Sequence, residues 1–368
     1  MKIYCVILLF LFFTVAVGDA SIQPEKIRIA LLKGVESVSL DGDGLLLTDG
    51  KGEPLRLTLP LQVKRAKDGL TVNGRTISAL IAASPSVLRV NDKGYRGVVE
   101  IMPGDKGVLV INELPLEEYL VGLINCEISS SWPIEAVKAQ AVIARSYAIY
   151  QKAARKNAPY QLESSVMDQV YEGSDIEDSR AARGVRETAG EVLTFDGKII
   201  QAFYHSNCGG HTEASENVWG MALSYLSGVD CKYCLDAPSL KWEQSIPLKK
   251  LESSLRNGGY QVSGLKEIVA GSRNRSGRLQ EIILVTAKGR VTVSAVNFRK
   301  AVGYTVIKST RFDVKTTGDE VRFAGSGYGH GVGLCQWGAK QRAEDGFDYR
   351  EILSYYYPGV KLEKVYGD

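Results

Sequence analysis

The stretch LPLEEYLVGLINCEISSSWPIEAVKAQAVIARSYA, residues 114–148, predicts two consecutive helices with a single carboxylate, Glu127, in the connection between them. Pro115 suits the start of the first helix, and we expect that helix to end near Ile124. Pro133 begins the second helix. Its apolar residues recur at intervals of three and four, which predicts a deeply packed face: Ile134, Val137, Ala141, Ala144 and Ala148.

Glu127 is the only charged residue of VGLINCEISSSWP, residues 121–133. Burying an acid among apolar neighbours is costly, and the negative end of a helix dipole disfavours a carboxylate. Both effects raise the pKa of a carboxyl group, which suits a general acid near neutral pH. The alternative interpretation is a partly exposed carboxylate that happens to end a helix.

The N-terminus, MKIYCVILLFLFFTVAVGDA, has one Lys, an apolar run and then small residues. This pattern predicts a signal peptide over residues 1–20 and a secreted, periplasmic or cell-envelope protein. An uncleaved membrane anchor is the alternative, but the apolar run is short for a spanning helix.

Short apolar segments separated by turns fill residues 24–100 and predict a small N-terminal β domain. Asn73-Gly74 is a strong hairpin signal within it. Strands and helices are interspersed without regular alternation over residues 101–368, and further hairpins are expected at Asp196-Gly197 and Lys288-Gly289. The predicted fold class is therefore α+β, with a β domain followed by a larger mixed domain.

The charge balance argues against a nucleic-acid-binding protein. The 368 residues include 45 basic and 42 acidic residues, for a net charge of +3, and no long basic run occurs.

A group of histidines and cysteines has spacing typical of a metal site. His205, Cys208 and His211 occur at intervals of three, and Cys231 and Cys234 follow as a C-x-x-C pair. Thiolates with imidazole favour zinc, and we expect the three cysteines with one of the histidines as ligands. A disulfide from Cys208 to Cys231 or Cys234 is the alternative, because secreted proteins meet oxidising conditions.

The glycine-rich stretch GSGYGHGVGLCQWG, residues 325–338, brings backbone close to a ligand or a neighbouring strand. It lacks the pattern of a phosphate-binding loop. His330, Gln336 and Trp337 are the side chains that it would present to a sugar. Alternatively, the glycines only permit a tight buried crossing and His330 is structural.

Three separated stretches resemble the stage II sporulation protein D/LytB family. They are residues 114–148, FYHSNCGGHTEASENVWG at 203–220, and GYGHGVGLCQWGAKQRAEDGFDYREILSYYYPGV at 327–360. The stretches occur in order, and the resemblance extends over roughly residues 95–360. It implies a mixed α+β catalytic domain and a role in the bacterial cell wall, with the sporulation name attached to the family.

The resemblance implies that Glu127 is the acid/base of a peptidoglycan lytic transglycosylase. Such an enzyme cleaves the MurNAc–GlcNAc linkage and forms 1,6-anhydro-MurNAc, for which one acid suffices. It also implies a metal site around His205 and a substrate loop at Gly329-His330-Gly331. Glycan strands are then the expected partner. The alternative within the family is a non-catalytic, wall-bound enhancer of a cell-wall amidase.

Two cysteines depart from the family pattern. Cys126 stands where a small residue is usual, and Cys335 where Ser is frequent. Because each lies in an active-site motif, we expect the two thiols to face each other, either as a disulfide or as two buried free thiols.

Overall fold

The computed structural model describes residues 25–238 and 240–367, and it contains strands and helices that alternate irregularly along the chain. This confirms the predicted α+β class with a β-rich N-terminal region. The predicted signal peptide lies outside the described residues. Among the residues that are described, no helix combines the length and apolar character needed to cross a membrane.

Eleven strands precede the first helix in the described part of the chain. They are β1 (Lys26–Val35), β2 (Ser37–Asp41), β3 (Leu46–Asp49), β4 (Leu61–Ala66), β5 (Gly69–Val72), β6 (Arg75–Ile77), β7 (Leu80–Ala83), β8 (Leu88–Val90), β9 (Lys93–Tyr95), β10 (Val98–Pro103) and β11 (Val108–Pro115). Asn73 and Gly74 both have positive φ and join β5 to β6, which confirms the predicted hairpin.

These strands form two six-stranded sheets. One has the order β6-β5-β4-β2-β8-β9, and the other, completed by β12 (Leu162–Glu163), has the order β12-β1-β11-β10-β7-β3. A single hydrophobic core links both sheets to the helices α1 (Leu116–Glu127) and α2 (Ile134–Ala154). The domain division predicted after residue 100 falls within β10, and it stays a prediction.

Helix α1 ends at Glu127, so the predicted end near Ile124 is three residues too early. The Ile128 N–H donates to the Ile124 carbonyl at 2.9 Å and closes a further turn, because no helix-breaking residue intervenes. Helix α2 begins directly after Pro133, as predicted.

After α2, the chain forms α3 (Ser179–Arg186), the hairpin of β13 (Glu191–Phe195) and β14 (Lys198–Ile199), β15 (Tyr204–His205) and α4 (Ser215–Trp219). A 3₁₀ turn, Lys232–Cys234, follows. The β13–β14 turn has positive φ at Asp196 and Gly197, which confirms that predicted hairpin as well.

Residues 241–326 then build a hydrophobic core of their own, which we call the third core. The sequence did not predict it as a separate unit. Its elements are β16 (Lys241–Pro247), α5 (Leu248–Asn257), β17 (Leu265–Ala270), β18 (Glu281–Thr286), β19 (Gly289–Ser294), α6 (Ala295–Val302), β20 (Phe312–Thr317) and β21 (Glu320–Ser326). They form two three-stranded sheets, β16-β21-β20 and β17-β18-β19. The β18–β19 hairpin confirms the turn predicted at Lys288-Gly289.

After the third core, the chain completes another hydrophobic core, the second, which packs against α2. Its C-terminal elements are β22 (Leu334–Cys335), α7 (Gln336–Glu344), α8 (Tyr349–Tyr356) and β23 (Lys361–Lys364). Strand β22 pairs in parallel with β15, with Tyr204 opposite Leu334 and His205 opposite Cys335. This short pairing brings the middle and the C-terminal part of the chain together next to the end of α1.

Candidate functional site

Glu127 is the last residue of α1, and its half-buried side chain meets three other parts of the chain. The backbone N–H of Val170 donates to Oε1 at 3.1 Å. The side chains of Tyr204 and Gln336 also hydrogen-bond to the carboxyl group. A carboxyl at the end of a helix is thus supplied with donors from a loop, from β15 and from α7.

A chain of hydrogen bonds leads through buried side chains to the carboxyl group. The Tyr119 hydroxyl donates to Gln169 Oε1 at 3.1 Å, and Gln169 Nε2 donates to the Tyr204 hydroxyl at 3.1 Å. Because the Tyr204 oxygen accepts from Gln169, its own proton is free to point to Glu127. On the other side, Gln336 Nε2 donates to Gln140 Oε1 at 3.3 Å.

Burial raises the pKa of Glu127 above that of an ordinary glutamate, and the hydrogen bonds from Val170, Tyr204 and Gln336 oppose this only in part. Burial also raises the pKa of Tyr204, so its hydroxyl stays a donor. A carboxyl group that is more readily protonated, and whose anion is still hydrogen-bonded, can both give and take a proton. These properties are those of a general acid/base.

An aromatic pair is formed by two residues that are near Glu127 and Gln336 in sequence. The rings of Trp132, five residues after Glu127, and Trp337, next to Gln336, are 5.0 Å apart and tilted. Lys340 Nζ lies 6.0 Å from the centroid of the Trp132 ring and 5.5 Å from that of Trp337. Half-buried tryptophans with a nearby ammonium group offer a sugar both an apolar face and a cation.

His330 is held by the backbone on both sides of its ring. Val332 N–H donates to Nδ1 at 3.0 Å, and a backbone hydrogen bond joins the ring to Tyr204. Burial and the charges of Arg299 and Arg278 lower the pKa of His330 to about 3, so the ring is neutral. His330 therefore fastens the glycine-rich loop to β15, and its predicted contact with substrate stays a prediction.

Four cysteines lie close together near β15 and β22. They are Cys208, Cys231, Cys234 and Cys335, and we call them the four-cysteine cluster. Their sulfur atoms all lie within 4.8 Å of one another, and all four side chains are buried. No disulfide links them, and the sulfur atoms of Cys208 and Cys234 are 3.3 Å apart. The cluster is compact enough to hold a metal ion.

The structure gathers three of the five predicted metal ligands into this cluster and places the two histidines elsewhere. His205 Nδ1 hydrogen-bonds to the Val332 carbonyl at 3.1 Å, which directs the ring along the glycine-rich loop. His211 Nδ1 is engaged by the Thr212 carbonyl, and its Nε2 lies 3.7 Å from an Asp230 oxygen. Cys335 occupies the fourth place, where we expected a histidine.

Cys126 and Cys335 do not form the expected pair. The Cys126 thiol donates to the Gly122 carbonyl at 3.6 Å, one turn back in α1, whereas Cys335 lies in the four-cysteine cluster. Burial raises the pKa of Cys126 to about 11, so the thiol is protonated. Of the two alternatives, both thiols are free in the structure.

A buried arginine is among the residues through which the third core contacts the site. Arg278 Nη2 donates to the Cys208 carbonyl at 3.0 Å, and a Cβ on Gly331 would lie 2.5 Å from the same guanidinium nitrogen. Nearby, the buried Glu213 accepts hydrogen bonds from Asn274 at 2.6 Å and Ser276 at 2.7 Å. Residues 274–278 thus hold the glycine-rich loop against the four-cysteine cluster.

The chain matches two family models and is similar to several bacterial proteins. Residues 104–195 match the model of the stage II sporulation protein (SpoIID), and residues 229–333 match a domain of unknown function (DUF8618). A Brachyspira hyodysenteriae protein described as uncharacterized is 33% identical over 80% of this chain and 79% of its own length.

Two Bacillus proteins with functional names are also similar. The amidase enhancer of Bacillus subtilis is 30% identical over 66% of this chain and 40% of its own length. The stage II sporulation protein D of Bacillus amyloliquefaciens is 27% identical over 69% of this chain and 76% of its own length. The chain therefore spans less than half of the amidase enhancer.

Proposed function

Since the chain belongs to the stage II sporulation protein D/LytB family, we propose that it is a lytic transglycosylase of the bacterial cell wall. Its reaction cleaves the MurNAc–GlcNAc linkage of peptidoglycan and forms 1,6-anhydro-MurNAc. The observation that carries the proposal is the environment of Glu127, whose pKa is raised and whose carboxyl group is hydrogen-bonded to Val170, Tyr204 and Gln336.

Glu127 first acts as the general acid. Protonated Glu127 donates its proton to the glycosidic oxygen as the bond to the anomeric carbon breaks, and the departing GlcNAc keeps the proton as a hydroxyl group. The carboxylate then accepts the proton of the MurNAc 6-hydroxyl as that oxygen bonds to the anomeric carbon. Glu127 is protonated again at the end, and no water is consumed.

One carboxyl group suffices for this sequence of steps, because the nucleophile belongs to the sugar. Asp168 lies on the same loop as Gln169, but Arg155 holds it in an ion pair at 2.7 Å. Its other oxygen accepts from the Tyr147 hydroxyl at 3.1 Å. Asp168 is thus engaged in binding the loop, and we assign the proton transfers to Glu127 alone.

Tyr204 and Gln336 support both steps. They stabilise the carboxylate that forms when Glu127 gives up its proton, while burial favours the protonated state that starts the reaction. The sugar would stack on Trp337 or Trp132, with Lys340 near an anionic substituent. We therefore assign different roles to the two residues predicted to contact substrate. Trp337 contacts the sugar directly, and Gln336 acts on the reaction through its hydrogen bond to Glu127.

The cellular setting follows from the same relatives. We propose that the chain acts at the cell envelope, with glycan strands as its substrate and a cell-wall amidase as a functional partner. Sporulation is the setting named by the stage II sporulation protein D relatives.

We assign zinc to the four-cysteine cluster. Buried thiolates select zinc among the common divalent ions, and four of them fill a tetrahedral coordination sphere. Such a site has no open position for substrate or water, so the zinc would be structural and would crosslink distant parts of the chain.

The second candidate function is that of an amidase enhancer that cuts nothing itself, and it rests on the Bacillus subtilis relative of that name. Product analysis by mass spectrometry separates the two. Purified protein with peptidoglycan, or with glycan freed of its peptides, should release 1,6-anhydro sugars, lighter by one water than hydrolysis products. Faster peptide release by an added amidase, without anhydro sugars, would support the enhancer.

The matched pair of variants for this assay is Glu127→Gln and Glu118→Gln. Both lie on α1, but Glu118 is exposed and distant from the Tyr204 and Gln336 contacts. We expect no anhydro product from Glu127→Gln and a normal yield from Glu118→Gln. Equal yields from the two variants would remove Glu127 from the mechanism.

A further inference from the structure

We propose that a zinc ion in the four-cysteine cluster fixes the start of α7 and thereby positions Gln336 and Trp337 beside Glu127. This positioning role goes beyond the proposed reaction and does not depend on glycan cleavage.

The cluster joins three parts of the chain that are far apart in sequence. Cys208 follows β15, Cys231 and Cys234 flank a 3₁₀ turn, and Cys335 ends β22. The whole third core, residues 241–326, is inserted between the second and third of these parts. The ends of this insertion are joined by β16 and β21, which pair from Lys241 opposite Ser326 onward, whereas β15 and β22, next to Cys208 and Cys335, pair over only two residues each.

Two sulfur atoms of the cluster have hydrogen-bond partners of the kind that stabilise metal-bound thiolates. The Cys208 N–H donates to Cys335 Sγ at 3.3 Å, and the Tyr356 hydroxyl lies 3.2 Å from Cys231 Sγ. Donors to sulfur stabilise the thiolate and orient it toward a metal. Helix α7 passes directly against the cluster, because a Cβ on Gly338 would lie 2.8 Å from Cys231 Sγ.

A single peptide bond joins Cys335 of the cluster to Gln336, which contacts the proposed catalytic acid. Cys335 is the N-cap of α7, and the next residue is the buried Gln336, which hydrogen-bonds to Glu127 and to Gln140 of α2. Trp337 follows, and its N–H donates to the Ser206 carbonyl at 3.1 Å. A bond from Cys335 to zinc therefore restricts the backbone that carries both side chains into the site.

The first test is metal content, with two cysteine variants as a matched pair. Protein purified with zinc should contain one ion per chain by elemental analysis, and Cys126→Ser should keep it. Cys335→Ser should weaken zinc binding by more than the ~10–100-fold that loss of an outer-shell partner costs. Unchanged zinc affinity of Cys335→Ser, or a disulfide between cluster cysteines in the purified protein, would overturn the proposal.

The second test locates the effect of zinc within the chain by hydrogen–deuterium exchange. Removal of zinc by a chelator should increase exchange in peptides that cover residues 334–340, by about tenfold or more. Peptides from α5, in the third core, should keep their exchange rates. Unchanged exchange at 334–340, or an equal increase in α5, would contradict a positioning role for the metal.

These outcomes are independent of the proposed reaction. If the protein released no anhydro sugars, zinc could still order residues 334–340, and the positioning role would stand. If zinc left residues 334–340 unaffected while Glu127→Gln abolished the product, the reaction would stand without it.

Discussion

Gln169 donates a hydrogen bond through Nε2 to the Tyr204 hydroxyl at 3.1 Å, and this contact orients the tyrosine toward Glu127. The other end of the Gln169 amide is fixed by the Tyr119 hydroxyl at 3.1 Å. Since one lone pair of the Tyr204 oxygen is used by Gln169, its proton is left for the carboxyl group. The acid of the site is therefore held by a directed series of buried hydrogen bonds.

The first prediction concerns Tyr204→Phe, which removes one donor to Glu127. We expect kcat at the pH optimum to fall about fivefold, because a net hydrogen bond contributes about 1 kcal/mol. The hydrogen bond from Tyr204 lowers the pKa of Glu127, so its loss raises that pKa further. The alkaline limb of the pH–rate profile should move to higher pH, as measured by anhydro-sugar release.

Tyr147→Phe is the control for this variant. Tyr147 is also buried, and its hydroxyl donates to Asp168 at 3.1 Å, but it does not hydrogen-bond to Glu127. The pH–rate profile of Tyr147→Phe should match that of the wild type. A profile of Tyr204→Phe that also kept its alkaline limb would show that Tyr204 does not act on the proton of Glu127.

The second prediction concerns the pH dependence of stability. A carboxyl group whose pKa is raised by folding binds its proton more tightly in the native state, so stability is lost as pH rises above the ordinary glutamate range. Gln does not ionise, so Glu127→Gln should be more stable than the wild type at neutral pH. In denaturant unfolding at pH values below that range, the difference should decrease.

Unfolding of Glu118→Gln gives the reference for this comparison, because Glu118 lies on the same helix and is exposed. Its free energy of unfolding should follow that of the wild type at each pH. If Glu127→Gln were destabilised at neutral pH, burial would not dominate the pKa of Glu127.

Local signals predicted much of the fold correctly. The start of α2 after Pro133 and the hairpin turns at Asn73-Gly74 and Asp196-Gly197 depend on backbone preferences of a few adjacent residues. Helix α1 was extended by one turn relative to its prediction, since the last hydrogen bond of a helix leaves little trace in sequence. The separate core of residues 241–326 was missed because its strands resemble those around it.

The site was harder to predict because its residues meet only in three dimensions. Glu127 was proposed as a site residue from its apolar surroundings and the family resemblance, whereas Tyr204, Trp132 and Lys340 were not singled out. Cys335 was assigned to the wrong neighbourhood, since its partner Cys208 is 127 residues away and only the β15–β22 pairing brings the two together.

The third prediction concerns the aromatic pair of Trp132 and Trp337. Trp337→Ala should raise the Kd for glycan about tenfold, because a stacked ring and the nearby Lys340 contribute roughly 1–2 kcal/mol. Trp337→Phe keeps an aromatic face and should restore most of the affinity. Calorimetry in the Glu127→Gln background measures binding without turnover, and equal affinity of the Ala and Phe variants would argue against stacking.

The fourth prediction concerns the junction between the third core and the site. Arg278 is fully buried, and its guanidinium donates to the Cys208 carbonyl at 3.0 Å. Arg278→Ala leaves that carbonyl and the nearby Glu213 without their cationic neighbour, so we expect a loss of about 3 kcal/mol in the free energy of unfolding. Arg322→Ala, which breaks an exposed pair with Glu243 in the same core, should cost less than about 1 kcal/mol. Denaturant titration of both variants measures the difference, and equal losses would show that the buried position of Arg278 contributes nothing to holding the glycine-rich loop.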